Sequence, residues 1–144
     1  MSEQQTWWTA PTQSDSGRLI MVTGRKDVKK WMDNPKFNIR VEVTWRYDGD
    51  ASGMPDVPTS TLMEEVQDAL TSCFAKDPVA VLTGIFTGDD ERNWIFYTLS
   101  THIFGRKLNE ALEKFPVLPL NIYCENDPEW LEYKEMCEAE INID

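Results

Sequence analysis

The clearest pattern of hydrophobic and polar positions is the strict alternation in FNIRVEVTWRY, residues 37–47. Successive side chains of a β-strand point to opposite faces, so this pattern predicts a strand with one core face and one polar face. The run GDASGMPDVP that follows is rich in Gly, Pro and Asp, which predicts a loop. The apolar members of the alternation are Phe37, Ile39, Val41, Val43, Trp45 and Tyr47.

Two later segments repeat their apolar residues at helical spacing, which predicts two amphipathic helices. We expect the first to begin near Thr61 and Glu64, which have capping-box spacing, with Pro58 just outside. We expect the second to stop at Pro116. The apolar face of the first helix is Leu62, Val66, Ala69, Leu70, Cys73 and Phe74. That of the second is Ile103, Phe104, Leu108, Ala111, Leu112 and Phe115.

Further strands are predicted on either side of these helices. DPVAVLTGIFTG is apolar on both sides, which is typical of an interior strand, and the turn GDDER joins it to NWIFYTLS in a hairpin. In VLPLNIYC, Pro119 favours the edge of a sheet because proline has no N–H for a central ladder. Upstream, RLIMVTG predicts an extra strand and DVKKWM a short helix or turn.

The order from residue 37 onward is therefore βαββαβ, which predicts an α+β fold of the ferredoxin-like type. In such a sandwich two helices pack on one face of an antiparallel sheet. We expect residues 1–144 to form a single domain. Its parts are an N-terminal extension with an extra strand at 1–36, the ferredoxin-like core at 37–125 and a C-terminal helix at 126–144.

The stretch CENDPEWLEY, residues 124–133, concentrates acids and aromatics as a metal or catalytic site would. Asp127 is a good N-cap, Pro128 suits the first helical position, and Glu129 suits the positive end of the helix dipole. A Ca²⁺ loop would need alternating oxygen ligands and a glycine, which the stretch lacks. We therefore interpret it as a helix start. The apolar stripe that follows is Trp130, Tyr133, Met136 and Cys137.

The formal net charge of -11 changes the list of expected partners. An acidic surface repels nucleic-acid phosphate and anionic lipid, so we expect no membrane partner and regard nucleic acid as an unfavoured one. Residues 17–46 nevertheless hold eight Lys and Arg against three acids, so a basic strip remains available.

Cysteine usage and the start of the chain indicate a cytoplasmic protein. Cys73, Cys124 and Cys137 are odd in number and form no C-x-x-C pair, which favours reduced thiols. The first 17 residues have neither the basic region nor the apolar region of a signal peptide.

We predict no catalytic residue, no cofactor and no metal site from sequence motifs. His102 follows Ser100 and Thr101 at a helix start, without a nucleophile and an orienting acid in a local pattern. GDDE at 88–91 suits a hairpin tip for backbone reasons. The chain contains no phosphate-cradling loop, dinucleotide fingerprint or nucleophile elbow.

Two groups of residues form the candidate ligand or partner surface. Arg40 and Arg46 lie on the polar face of the 37–47 strand, where they either pair with acids across the sheet or meet a partner's carboxylates. The 48–58 loop is the second candidate, because long loops at strand ends often hold binding sites. The residues of this second group are Tyr47, Asp48, Asp50, Asp56, Arg92 and Tyr97.

Trp7 and Trp8 are adjacent indoles in a polar N-terminal stretch, and one strand face does not readily bury both. We favour the interpretation that they cover the open side of the sheet. The alternative is that they mark a partner surface.

Four ordered blocks carry a family resemblance: RVEVTWRY, GMP, the LTG…RNWIFYT hairpin and DPEWLEY. Over about residues 37–136 the chain resembles the bacterial family known as domain of unknown function 695. The resemblance implies a ferredoxin-like fold and brings no catalytic residues. Some family members are distantly similar to the protein regulator of ribonuclease E activity, although the acidic tail typical of that regulator is not evident here.

Three functions are consistent with these features. The first is a non-enzymatic regulatory or protein-binding domain, with another protein or a second copy of the chain as partner. The second is a small-molecule enzyme or sensor with a site near the 48–58 loop. The third is a nucleic-acid binder using the basic strip, which predicts binding that weakens steeply with salt.

Overall fold

The computed structural model describes residues 6–141, which form one six-stranded sheet and four helices. The strands are β1 (Trp7–Gln13), β2 (Leu19–Arg25), β3 (Ile39–Arg46), β4 (Ala80–Gly88), β5 (Glu91–Thr98) and β6 (Leu120–Asn126). The helices are α1 (Lys29–Met32), α2 (Val57–Lys76), α3 (Thr101–Ala111) and α4 (Leu131–Ile141). The α+β class is confirmed. Residues 1–5 of the predicted extension and 142–144 of the predicted C-terminal helix lie outside the described residues.

The strand order is β1-β2-β4-β5-β3-β6, and every neighbouring pair is antiparallel. The four strands of the predicted βαββαβ run are adjacent, with β6 at the sheet edge that Pro119 favours. Because β2 and β1 are added beyond β4, the sheet has six strands rather than four. Its overall order therefore differs from that of a plain ferredoxin-like sandwich.

The sequence pattern predicts one added strand, but the structure has two. WWTAPTQ has few β-branched residues and contains Pro11, so its pattern is weak. The signal that identifies it is the turn at 14–17, in which Gly17 has a φ of 87° and its N–H donates to the Ser14 carbonyl. The turn places β1 beside β2 as a hairpin.

The sheet is covered by helices on both faces, whereas the predicted sandwich has its two helices on one face. The first core lies between the sheet and α2 and α3. The second lies between the opposite face and α4, and it includes Trp8, Tyr97, Trp130, Tyr133 and Met136. Trp7 packs against the first core and Trp8 is buried in the second, so adjacent positions of β1 send one indole to each face. The covering interpretation therefore holds for Trp8, which lies on the face away from α2 and α3, whereas Trp7 lies on the α2–α3 face.

Helix starts differ from their predicted positions by a few residues. Helix α2 begins at Val57, not near Thr61, because the Asp56 side chain accepts the backbone N–H of Thr59 at 2.9 Å. Helix α4 begins at Leu131, not at Pro128, since Trp130 adopts a left-handed φ of 56°. Asp127 still caps it, by accepting the N–H groups of Leu131 and Glu132.

Within residues 6–141, none of the helices combines the length and the hydropathy that a membrane crossing requires.

Candidate functional site

The structure does not bring the seven predicted surface residues together in one site: some lie on opposite faces of the sheet and others in the 48–58 loop. These residues are Arg40, Arg46, Tyr47, Asp48, Asp56, Arg92 and Tyr97. On β5, Arg92 lies on the α2 face, where its guanidinium is 3.8 Å from Glu64. Tyr97 belongs to the core under α4, on the opposite face. The structure therefore does not bring Tyr97 and Arg92 together in one site. Burial lowers the pKa of Arg92, and its Nε donates to the Thr87 hydroxyl at 2.9 Å.

Several of the predicted residues at the 48–58 loop form hydrogen bonds that stabilise the loop itself. The Tyr47 hydroxyl donates to the Gly53 carbonyl at 2.8 Å, and burial raises the pKa of Tyr47 to about 12. Asp50 accepts the hydroxyl of Ser52 and the N–H groups of Ser52 and Met54, and these bonds lower its pKa. Asp56 is the cap of α2, and Asp48 is exposed.

The loop lies against the tip of the β4–β5 hairpin. Asp89 and Asp90 have φ values of 53° and 70°, the left-handed pair that a two-residue hairpin turn needs. Arg18 contacts both carboxylates, at 3.4 and 3.0 Å. Between residues 6 and 141, no group of three or more His, Cys, Asp and Glu side chains is arranged to hold a metal ion. The acids of this region therefore interact with Arg18 and with backbone groups.

The arginines on the polar face of β3 pair with acids of neighbouring strands. Arg40 contacts Glu125 of β6 at 3.4 Å and Glu42 of its own strand at 3.2 Å. Arg46 lies 3.6 Å from Glu91, its direct neighbour on β5. Of the two alternatives for Arg40 and Arg46, cross-strand pairing is present in the structure.

Tyr97 is fully buried and connects the sheet to the start of α4. Its hydroxyl donates to Asp127 Oδ2 at 2.7 Å, and its ring stacks on Trp130 with a centroid distance of 3.9 Å. Burial raises the pKa of Tyr97, so the phenol stays protonated and acts as a donor. The indole N–H of Trp130 donates to the Phe37 carbonyl at 2.8 Å. These contacts are structural.

A cavity of about 340 Å³ lies beside α4 on this face of the sheet. Its floor includes Phe86, Ile95 and Met136, and Glu132 and Glu135 line its helix side. Arg40 also lines the cavity, but this cation is already paired with two carboxylates. The mixture of carboxylates and one paired arginine selects no ligand class.

The edge strand β6 exposes apolar side chains to solvent. Ile122 is 48% exposed and Tyr123 is 56% exposed, and Cys124 is also exposed. Leu120 and Ile122 pair with Trp45 and Val43 of β3, so they lie on the α2–α3 face of the sheet. Large apolar side chains on an open strand are typical of an interaction edge.

The backbone groups on the outer side of β6 follow from its pairing with β3. The Asp127 N–H donates to the Asn38 carbonyl at 2.8 Å, which fixes the hydrogen-bonding parity of the ladder. Alternate residues of an antiparallel edge strand direct both backbone groups inward or outward. Residues 121, 123 and 125 therefore bond to β3, and Ile122 and Cys124 direct their N–H and C=O groups away from the sheet.

The opposite edge of the sheet, β1, is interrupted. The Lys26 N–H donates to the Thr6 carbonyl, so Thr6, Trp8 and Ala10 face β2 while Pro11 faces outward. Proline has no N–H, and its presence on an outer edge prevents a continuous ladder. Of the two edges within residues 6–141, only β6 offers a continuous row of outward backbone groups, which runs from the Leu120 carbonyl to Asn126.

A family model described as a family of unknown function, DUF695, matches residues 6–136. The chain belongs to this family. The match confirms the predicted resemblance and extends it to β1 and β2. The searches of curated proteins and of solved structures found no match. Membership in DUF695 names no activity, so the function has to be argued from the geometry.

Sequence patterns identified β6 as an edge strand but did not identify it as the candidate site. Pro119 and the terminal position in the βαββαβ order predict an edge. The exposure of Ile122, on the α2–α3 face, depends on where α3 ends, and α3 ends at Ala111. Which residues of β6 direct their backbone groups outward can be determined only from its hydrogen bonds to β3.

Proposed function

We propose that this DUF695 protein is a non-enzymatic binding domain whose outer β6 edge pairs with a strand of another polypeptide. The observation that carries the proposal is the unbroken outer edge of β6 together with the exposed Ile122 and Tyr123. Strand addition uses main-chain hydrogen bonds for affinity and alternate side chains for specificity, and β6 offers both.

We also infer that the four adjacent strands β4-β5-β3-β6, with α2 and α3, form a ferredoxin-like core. In this interpretation β1 and β2 extend that core within a single domain. The three cysteines are free thiols, which supports a cytoplasmic location. A bacterial origin and a distant relation to the ribonuclease E regulator remain predictions of the resemblance.

The enzyme or sensor alternative has less support. The carboxylates of Asp50 and Asp56 accept hydrogen bonds from backbone N–H groups, and the Tyr47 hydroxyl donates to a backbone carbonyl. Groups that stabilise a loop in this way are not poised for ligand exchange.

The proposal predicts that Ile122→Lys abolishes partner capture while leaving the fold intact. A lysine on an edge strand discourages pairing, and Ile122 is half exposed, so the change in stability should stay within about 0.5 kcal/mol. The matched control is Leu131→Lys, which alters a 60% exposed apolar residue of α4 and leaves the side chains of β6 unchanged. The measurement is quantitative affinity capture from the source cells with wild type and both variants.

We expect wild type and Leu131→Lys to recover the same partner proteins, and Ile122→Lys to recover at least about tenfold less of them. A tenfold weaker affinity corresponds to a loss of about 1.4 kcal/mol in binding free energy. Identical recoveries with all three proteins would contradict the proposal. Circular dichroism of Ile122→Lys shows whether the comparison is made between folded proteins.

A further inference from the structure

We propose that the strand bound at the β6 edge is β6 of a second copy of this chain, antiparallel to the first about a two-fold axis at Tyr123. This inference rests on the proposed function. It identifies the partner from the self-complementarity of the sequence LNIYCEN.

The proposed register pairs the whole strand. With Tyr123 on the axis, Leu120 faces Asn126 of the second copy and Ile122 faces Cys124. These are the residues whose backbone groups point outward. Each Ile122–Cys124 pair exchanges two N–H···O=C bonds, whereas each Leu120–Asn126 pair forms one, because the Leu120 N–H already donates to the Leu118 carbonyl. A seven-residue strand spans roughly 23 Å at about 3.3 Å per residue, and this register places each of its residues opposite a residue of the second copy.

Side chains match in the same register. Ile122 and Cys124 lie on one face of the sheet, so each meets an apolar side chain of the second copy. On the other face Glu125 lies opposite Asn121, and no carboxylate lies directly opposite another. Tyr123 lies opposite its own equivalent, and aromatic cross-strand pairs are stabilising.

The other edge of the sheet limits the assembly to two copies. Pro11 interrupts the outer row of β1, so β1 cannot continue a ladder with the β6 edge of a further molecule. A symmetric β6–β6 contact uses the same surface on both copies and is closed.

The net charge of the chain predicts how salt affects dimerisation. Each copy carries a formal net charge of -11, so association brings two acidic molecules together. Salt screens this long-range repulsion while leaving the backbone bonds and apolar contacts intact. The dimer is therefore expected to tighten when NaCl is added, opposite to an assembly that opposite charges hold together.

Sedimentation velocity over a concentration series tests the association. As the protein concentration rises, the wild type and Leu131→Lys should shift from the 16.7 kDa monomer to twice that mass. NaCl should lower the protein concentration at which half of the chains are dimeric. Ile122→Lys should remain a monomer. A wild-type chain that is still monomeric at about 0.5 mM, where a dimer with a Kd of ~100 µM would be mostly assembled, overturns the inference.

Disulfide trapping tests the register. In the Cys124→Ser background, Tyr123→Cys places two thiols directly opposite each other at the axis, about 4.5 Å apart between Cα atoms, which suits a disulfide. Asn121→Cys is the matched control on the same face, because its thiols would be separated by four residues along the strand. Mild oxidation should give a covalent dimer with Tyr123→Cys and leave Asn121→Cys at least tenfold less cross-linked.

Equal cross-linking of the two variants overturns the register. The two proposals fail separately: a monomeric wild type whose partner capture is nevertheless lost in Ile122→Lys contradicts the second copy and retains the binding edge. If wild type and Ile122→Lys dimerise equally well, the second copy at β6 is contradicted, and if the two proteins also recover the same partners, the binding edge is contradicted as well.

Discussion

Asp127 shows how a single carboxylate at the sheet–helix junction fixes the position of α4. Its oxygens accept the Tyr97 hydroxyl and the N–H groups of Leu131 and Glu132. Burial raises the pKa of Asp127, but the hydrogen bonds from Tyr97, Glu132 and Leu131 outweigh this, and the pKa lies below its usual range. The cap was predictable from the sequence N-D-P-E. The bond to Tyr97 was not, because it depends on how α4 crosses the far face of the sheet.

We expect Asp127→Asn to lower the free energy of unfolding by about 1–3 kcal/mol at pH 7, because an amide cannot accept at both positions. A depressed folded-state pKa contributes stability above the unfolded pKa of about 3.9 and loses it as pH falls through the folded pKa. The difference between wild type and variant should therefore shrink below about pH 4. Urea unfolding at both pH values measures it.

Asp56→Asn is the control, since asparagine caps helices as well as aspartate does and Asp56 is exposed. Its effect should stay within a few tenths of a kcal/mol at pH 7. An equal effect of the two substitutions would show that the buried network adds nothing to the cap.

At the scale of elements, the strongly periodic segments were predictable and the weakly patterned ones were not. The alternation in 37–47 predicts β3, although the strand proper begins at Ile39 because Phe37 turns into the core under α4. β1 has little pattern of its own and is held by its partner strand. The indole of Trp8 covers Gly24 of β2, its direct neighbour in the ladder.

This contact makes Gly24→Ala a test of how β1 is attached. An added Cβ would overlap Cε2 of Trp8, a buried and stiff ring, so we expect a loss of roughly 1–3 kcal/mol in the free energy of unfolding. Thermal or urea unfolding measures the change.

Gly105→Ala is the matched glycine substitution in α3, where nothing lies within 4 Å of an added Cβ. It should stabilise the protein by about 0.5–1 kcal/mol, because alanine replaces the poorest helix former apart from proline. If Gly24→Ala destabilises the protein by no more than Gly105→Ala stabilises it, the result would argue against a fixed contact between Trp8 and Gly24.

At the scale of the whole molecule, the α+β class and the position of β6 could be predicted, but the two-sided covering of the sheet could not. Periodicity shows that Trp130, Tyr133 and Met136 share a helix face. It does not show which surface that face meets. The second core forms because β1 and β2 enlarge the sheet and provide apolar residues such as Val22 on the side where α4 lies.

In the part of the chain that the structure describes, this architecture leaves one continuous open edge, that of β6. Most of the predicted candidate residues are already bonded to other side chains or to the backbone, as Arg40 is to Glu125. The hydrogen-bonding groups that are still open to a partner are backbone groups of β6, and sequence motifs do not reveal them. The account therefore depends on whether those groups become paired.

Residue-resolved amide hydrogen exchange of β6, in dilute and in concentrated protein, tests this most directly. In dilute protein, the amides of Ile122 and Cys124 should exchange fast while that of Tyr123, bonded to β3, is protected. In concentrated protein, Ile122 and Cys124 should become protected while the outward amide of Thr9 on β1 stays unchanged. Fast exchange at Ile122 and Cys124 at every concentration would contradict pairing of this edge with a second copy.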